Sequence, residues 1–236
     1  MDDFTNDALA AFQDAAADDI IISARFSVLD TGGTTLQRIA DLVQTSGYIS
    51  RDDRELAVAL LSRLASELSA GIALMSRQSY LYGAGALLRQ LVEIEYLMFL
   101  GYIDPTNLAR WYRADGKELR KVFSPQRMRN ASDGLFRDQE YWLHCEVGGH
   151  PHPRARMLLN DYPTPLAPIA TLLPDAVHYL RRLWTSLRLL LPQLDIGELA
   201  LQEFAEPLAS AIERWTEVEN PLILSFDGIA TTSADG

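Results

Sequence analysis

The sequence predicts an all-α fold, a multi-helix bundle with one long central apolar helix. Leu and Ala dominate the composition while Gly and Pro are modest, which favours helices over sheet. Tyr82–Tyr102 is apolar on nearly all sides, with only three charged residues, Arg89, Glu93 and Glu95. A helix of this kind is normally covered by partners on most faces. Almost no stretch alternates like a strand.

The first 50 residues are predicted to form two helices. Apolar residues recur at helical spacing over Asn6–Val28, and the glycines of Thr31–Gly33 are expected to break this helix. A shorter helix is expected over Leu36–Val43, ending near Ser46–Gly47.

Two long helices are predicted next. Asp52 and Asp53 are expected at the start of the first, because acidic side chains stabilise the positive N-terminal end of a helix. A few residues around Gln78–Tyr80 are expected to separate it from the central helix. That helix is expected to end at Asp104–Pro105, because a residue before proline avoids helical dihedral angles.

The second half of the chain contains further helical patterns. Gly148–Pro153 is expected to be a rigid turn, and Arg154–Pro168 an irregular connector. The predicted helices are Asn107–Val122, a short one starting at Ser124–Pro125, one within Phe136–Val147, Ile169–Leu191, and a last one from Asp195 to Val218.

We predict a single domain with four parts. Residues 1–50 would form an N-terminal helical extension packing on the bundle, and residues 51–192 the helical core. Residues 193–220 would form a C-terminal closing helix, followed by an irregular tail over 221–236.

Charge is unevenly distributed along the chain. The net charge of −11 argues against broad adhesion to nucleic acid or anionic membranes. Both chain ends are acidic, whereas Pro105–Arg156, the basic block, holds ten Lys/Arg against six Asp/Glu. The basic block is either a set of solvated helix faces or a phosphate-facing surface.

The sequence also predicts the cellular location of the protein, and it argues against a secreted or a membrane protein. Cys145 is the one cysteine, so no intramolecular disulfide forms and nothing calls for an oxidising compartment. The acidic N-terminus lacks the layout of a signal peptide. We expect no apolar run long enough to span a membrane. We therefore predict a cytoplasmic protein without membrane association, and no cofactor.

Arg137 and His144 are the predicted catalytic pair. They are seven residues apart, two helical turns, so both would lie on one helix face. An arginine fork can hold a phosphate, and a histidine can transfer a proton near neutral pH. Such a pair could cleave RNA without a metal, with the 2′-hydroxyl as nucleophile. The alternative is a solvated Arg137 and a bonded, partly buried His144.

A second cluster contains metal-ligand residue types. Imidazole and thiolate side chains suit zinc, but the spacing matches no recurrent zinc module, and we predict no metal. His150 and His152 are more simply residues of a rigid turn that cap helix ends. The cluster comprises His144, Cys145, Glu146, His150 and His152.

Arg89 and Glu93 are predicted to support the site. They are four residues apart and therefore share one helix face, where they can pair. They either fix the packing of neighbouring helices or line a cleft and hold Arg137 or His144. Tyr96, three residues beyond Glu93, could complete their network.

The sequence LLRQLVEIEYLMFLGY resembles the arginine-x-x-x-glutamate helix of the HEPN superfamily, in its uncharacterised bacterial branches. The helix that follows would be LARWYRADGKELRKVF, which is basic as in that family. RDQEYWLH, from Arg137 to His144, is similar to the arginine–histidine motif of the superfamily ribonucleases. The His150–Pro151 step is an alternative match, which leaves His150 or His152 open as the catalytic histidine.

The resemblance implies an endoribonuclease acting as a homodimer, as a bacterial toxin or antiphage effector. It also implies an RNA substrate and an antitoxin or other protein partner. The main alternative is a non-catalytic helical interaction module, which the acidic chain ends favour. A third alternative, a metal-dependent hydrolase, is supported by the histidine cluster alone.

Overall fold

The computed structural model describes residues 19–132, 134–136, 141, 142, 144–159, 168–194, 196 and 204–219. These residues form helices and short connections and contain no strand, which confirms the all-α prediction. Several predicted features lie wholly or partly outside them: residues 6–18 of the first predicted helix, Arg137, residues 160–167 of the predicted connector, the Asp195 cap and the tail 221–236.

Eight α-helices are present among the described residues. They are α1 (Asp19–Ser50), α2 (Asp53–Arg77), α3 (Leu81–Ile103), α4 (Thr106–Arg113), α5 (Gly116–Val122), α6 (Pro125–Asn130), α7 (Pro168–Leu190) and α8 (204–219). Tyr141, Trp142 and His144 are also helical. A π-helical turn, Cys145–Gly149, and two 3₁₀ turns, Pro153–Leu158 and Leu191–Leu194, are present as well.

The predicted central helix is α3. Its apolar side chains are buried against α2, α4, α7 and the π-helical turn. It ends at Ile103, before Asp104–Pro105, as predicted. The start of α2 also agrees with the prediction, because the Asp52 carboxylate accepts a hydrogen bond from the Arg54 N–H at 2.8 Å.

Contacts between α3 and α7 show that the two helices run in the same direction. A Cβ at Gly85 would lie 3.7 Å from Leu172, near the start of both helices. Further along, Glu95 pairs with Arg182. Successive turns of α3 therefore lie beside successive turns of α7, and a groove runs between the two helices.

The predicted break at Thr31–Gly33 is wrong, because α1 is continuous from Asp19 to Ser50. A Cβ on Gly32 would lie 2.5 Å from the Leu180 side chain of α7. The carbonyl of Gly33 accepts a hydrogen bond from the Ser66 hydroxyl of α2 at 2.7 Å. The two glycines therefore allow α1 to approach its neighbours closely.

Two further boundaries differ from the prediction. Asn107–Val122 is not one helix, because Asp115 caps a new helix by accepting hydrogen bonds from the N–H groups of Lys117 and Glu118. The predicted irregular connector begins with a 3₁₀ turn, Pro153–Leu158. Both changes are local and leave the fold class unaltered.

Among the described residues, one helix, α2, is long and apolar enough to cross a membrane by length and composition. Half of its most apolar stretch is buried within the protein, and a buried core helix meets the same criterion. The predicted lack of membrane association stays a prediction.

We expect Gly148→Ala to lower the free energy of unfolding by about 1–3 kcal/mol. A Cβ at Gly148 would lie 2.8 Å from the backbone nitrogen of Ala86, and backbone cannot rotate away. Urea denaturation would measure the change. Gly116→Ala is the matched control, because its Cβ would meet only Arg120 at 3.6 Å. Equal stability of the two variants would contradict the close contact of Gly148 with α3.

Candidate functional site

A cleft of about 910 Å³ lies between α3 and α7. It is partly open to solvent. Polar side chains line one part of the cleft, and apolar side chains line the other part. The lining residues are Glu95, Phe99, Tyr102, Leu135, Phe136, His144, Asp175, His178, Tyr179, Arg181, Arg182, Thr185, Ser186 and Leu189.

His144, the predicted catalytic histidine, lies in this cleft. Its Nε2 is 3.1 Å from the Tyr179 hydroxyl and 3.9 Å from Asp175 Oδ2. Burial lowers the pKa of His144 to about 4, because the positive form loses its hydration. At neutral pH this histidine is therefore an uncharged, hydrogen-bonded group.

Sequence reasoning missed His178 and Arg181, which lie on α7 beside His144 in the cleft. Partial burial and then the positive charges of Arg181 and Arg182 lower the pKa of His178. The Arg181 guanidinium lies 5.5 Å from the Trp215 ring, and no described carboxylate forms an ion pair with it. The sequence could have indicated this polar helix face, because its residues follow helical spacing, namely Asp175, His178, Tyr179 and Arg182.

A buried ion pair crosses the middle of the cleft. Arg182 Nε lies 2.5 Å from Glu95 Oε1, and Glu95 is 1% exposed. The Arg182 guanidinium also lies 4.9 Å from the Phe136 ring. Pairing with the partly exposed Arg182 compensates the burial of the Glu95 charge and holds Arg182 at the cleft wall.

The predicted pair of Arg89 and Glu93 is confirmed as a contact, with 2.9 Å between Arg89 Nη2 and Glu93 Oε1. Tyr141 joins them: its hydroxyl accepts from Arg89 at 3.2 Å and donates to Glu93 at 3.1 Å. Burial raises the pKa of Tyr141 to about 12. The network thus holds Tyr141 against α3, while His144 contacts Tyr179 of α7.

Tyr96 contributes to this network through its ring. The ring centroid lies 4.3 Å from that of Phe136 and 6.3 Å from that of Tyr141. Arg129 lies on another side of Tyr141, with its guanidinium 4.2 Å from the ring centroid. These contacts hold Phe136 and Tyr141, which lie near His144 in the sequence, against α3. The supporting role of Arg89, Glu93 and Tyr96 stays a prediction.

The remaining predicted histidines lie away from the cleft. His150 and His152 are both exposed, and His152 Nδ1 accepts a hydrogen bond from the Arg154 N–H at 3.1 Å. His152 therefore caps the 3₁₀ turn, as the rigid-turn interpretation predicts. Across the described ranges, no group of three or more His, Cys, Asp or Glu is arranged to hold a metal ion.

Part of the basic block is used in internal contacts. Arg110 pairs with Glu118 at 2.5 Å, and Arg113 pairs with Asp53. Arg129 of α6 is buried against Tyr141, whereas four other cations of α5 and α6 are exposed and have no ion-pair partner among the described residues. This cationic patch consists of Lys117, Arg120, Lys121 and Arg127.

No family model, curated protein or solved structure matches this chain. The chemistry of the cleft is therefore inferred from its own side chains. The Arg137–His144 pair stays a prediction, because Arg137 lies outside the described residues.

We expect the stability of the protein to fall by about 3 kcal/mol through His144 alone as the pH decreases from about 6.5 to about 4. The unfolded chain binds a proton near the ordinary histidine pKa of 6.5, whereas native His144 binds one only near 4. Protonation of the histidine in this pH range therefore favours unfolding. Above this range, uncharged His144 makes its full contribution to stability.

Urea denaturation at about pH 7.5 and about pH 4.5 measures this effect. His144→Gln cannot titrate, so its stability should differ less between the two conditions than that of the wild type. Carboxylates titrate in both proteins, so the comparison of the wild type with His144→Gln removes the contribution of the carboxylates. The same pH dependence in both would contradict a buried, neutral His144.

Proposed function

We propose that this protein is a metal-independent endoribonuclease that binds single-stranded RNA in the cleft between α3 and α7. The observation that carries the proposal is the meeting of Arg181 with two histidines, His144 and His178, along one cleft wall. The exposed cationic patch of α5 and α6 adds sequence-independent attraction for phosphates.

The chemistry uses the RNA itself as the source of the nucleophile. Arg181 binds the phosphate through charge-assisted hydrogen bonds. His178 is uncharged at neutral pH and accepts the proton of the 2′-hydroxyl. The 2′ oxygen then attacks phosphorus, the bond to the 5′ oxygen breaks, and the leaving oxygen takes a proton from the protonated imidazole or from water.

His144 was the histidine that the sequence favoured for proton transfer. A pKa of about 4 makes it a weak base, and it is hydrogen-bonded to Tyr179. We therefore assign it to orienting the Tyr179 hydroxyl towards the cleft, and we assign the acid–base role to the more accessible His178.

The biological setting is proposed from the resemblance to the HEPN superfamily. The paired Arg89 and Glu93 on α3 are consistent with that family's arginine-x-x-x-glutamate helix. We propose a cytoplasmic bacterial toxin or antiphage effector that acts as a homodimer. An antitoxin or other protein partner would restrain its activity.

Arg181→Gln is expected to weaken binding of single-stranded RNA by about 10- to 100-fold, because a charge-assisted contact is lost. The slope of affinity against salt concentration should also fall by about one. Fluorescence anisotropy with a 2′-O-methyl RNA, which lacks the nucleophile, measures both quantities.

Arg188→Gln is the matched control. Arg188 lies on the same helix and carries the same charge, but it lies over Trp184 and does not line the cleft. An equal, small loss of RNA affinity in both variants would indicate that RNA binds outside the cleft. Lack of binding by the folded wild type would reject the proposed function.

The second candidate is a non-catalytic helical interaction module. Several large apolar side chains are exposed near one another on α1, α2 and α4. Tyr48, Leu60 and Tyr112 line one shallow pocket there, and Ile49 is 82% exposed. Such a surface is typical of protein contacts. A folded protein that neither binds nor cleaves RNA would favour this function.

A further inference from the structure

We propose that the apolar end of the cleft is a subsite for a nucleobase of the same RNA strand whose phosphate is bound at Arg181. The subsite consists of Phe99, Tyr102, Leu135 and Leu189. This inference rests on the proposed function, and it names the part of the RNA that the cleft recognises.

The two ends of the cleft differ in chemistry. The face of α7 changes from Asp175, His178 and Arg181 to Leu189, eleven residues beyond His178. This separation is about 16 Å along the helix axis. Bases in a stacked strand are about 3.4 Å apart, so the cleft accommodates several nucleotides. A ligand that fits it carries negative charge at one end and a flat apolar group at the other.

The aromatic side chains of this end are fixed in place. Phe99 contacts the Phe136 ring edge-to-face, with 5.1 Å between centroids. Tyr102 is held beside Phe99, with 6.3 Å between their centroids. Both rings are partly exposed to the cleft. They therefore present aromatic surface that is already ordered before a ligand binds.

The flanking leucines leave the end of the cleft open. Leu135 is 51% exposed and Leu189 is 49% exposed, although both line the same cleft as Phe99 and Tyr102. A nucleobase would cover these apolar surfaces and stack on an aromatic ring. Base–aromatic stacking tolerates any sequence, because every base has a π face.

The pairing of Glu95 with Arg182 separates the two ends. Because Glu95 is already neutralised by Arg182, it repels a passing phosphate less than a free carboxylate would. Asp175, the other carboxylate, lies at the opposite end beside His144. The charges of the cleft therefore favour placing the phosphate near Arg181 and the base towards Tyr102.

The test measures the affinity of Tyr102→Leu and Tyr102→Phe for a 2′-O-methyl RNA and for an abasic chain of the same length. Tyr102→Leu removes the ring and should weaken RNA binding about 10-fold. Tyr102→Phe keeps the ring and should bind as the wild type does. The abasic chain should bind both variants and the wild type equally.

A second variant, Leu189→Ala, keeps the test informative if Tyr102→Leu does not fold. It should weaken RNA binding about threefold, since less apolar surface is covered. Wild-type affinity of folded variants at both positions would overturn the base subsite. If Arg181→Gln still weakened binding in that case, the proposed function would stand. Lack of RNA binding by the wild type would overturn both.

Discussion

Replacing Glu219 with alanine is expected to lower the free energy of unfolding by about 3–5 kcal/mol. Arg25 of α1 is 1% exposed, and it donates to Glu219 of α8 through Nε at 3.1 Å and Nη2 at 2.8 Å. The Trp215 indole N–H also donates to this carboxylate. Removing the carboxylate would deprive the buried Arg25 guanidinium of this ion pair.

Urea denaturation measures the loss, and Glu213→Ala is the matched control. Glu213 is an exposed residue of the same helix, and its replacement should change stability by less than about 0.5 kcal/mol. The double variant Arg25→Met with Glu219→Leu should recover part of the loss, because the Arg25–Glu219 ion pair is replaced by apolar groups while the buried Trp215 N–H loses its acceptor. Similar stabilities of Glu219→Ala and Glu213→Ala would contradict this role of the ion pair.

His178→Gln is expected to lower the rate of RNA cleavage by about 10²–10⁴-fold, the contribution typical of general acid–base catalysis. His178 lines the cleft, and partial burial and neighbouring arginines favour its uncharged form. Cleavage of a mixed single-stranded RNA in EDTA measures the effect and excludes contaminating metal-dependent nucleases.

His150→Gln is the control, because His150 is exposed and does not line the cleft. It should cleave RNA at the wild-type rate. A full loss in His144→Gln together with a normal rate in His178→Gln would return the acid–base role to His144. A full loss in His150→Gln would move the catalytic site to the turn after the π-helical segment.

The central helix and its ends could be predicted from local sequence signals. Asp52 caps α2 through contacts within its own turn, and Pro105 restricts the residue directly before it. The pair of Arg89 and Glu93 is also local, because four residues separate its members. Such features depend on neighbours in sequence, so spacing alone predicts them.

The continuity of α1 could not be predicted in the same way. Gly32 and Gly33 are weak helix formers, and a local interpretation places a break there. Their helical conformation is maintained by close packing against Leu180 and Ser66, which are distant in sequence. Tertiary contact here outweighs the intrinsic preference.

The composition of the cleft also depended on tertiary structure. The partner of His144 is Tyr179, 35 residues further along the chain. The polar face of α7 was visible as helical spacing of Asp175, His178 and Arg182, but the same helix also carries a strong apolar stripe. Only the alignment of α3 beside α7 distinguishes a cleft wall from a solvated face.

Histidine NMR spectra recorded during an RNA titration test the central proposal most directly. The chain contains four histidines, two in the cleft (His144 and His178) and two exposed outside it (His150 and His152). Addition of a 2′-O-methyl RNA should shift the ring signals of the cleft pair and leave the other pair unchanged. Shifts confined to His150 and His152, or no shift at saturating RNA, would contradict RNA binding in the cleft.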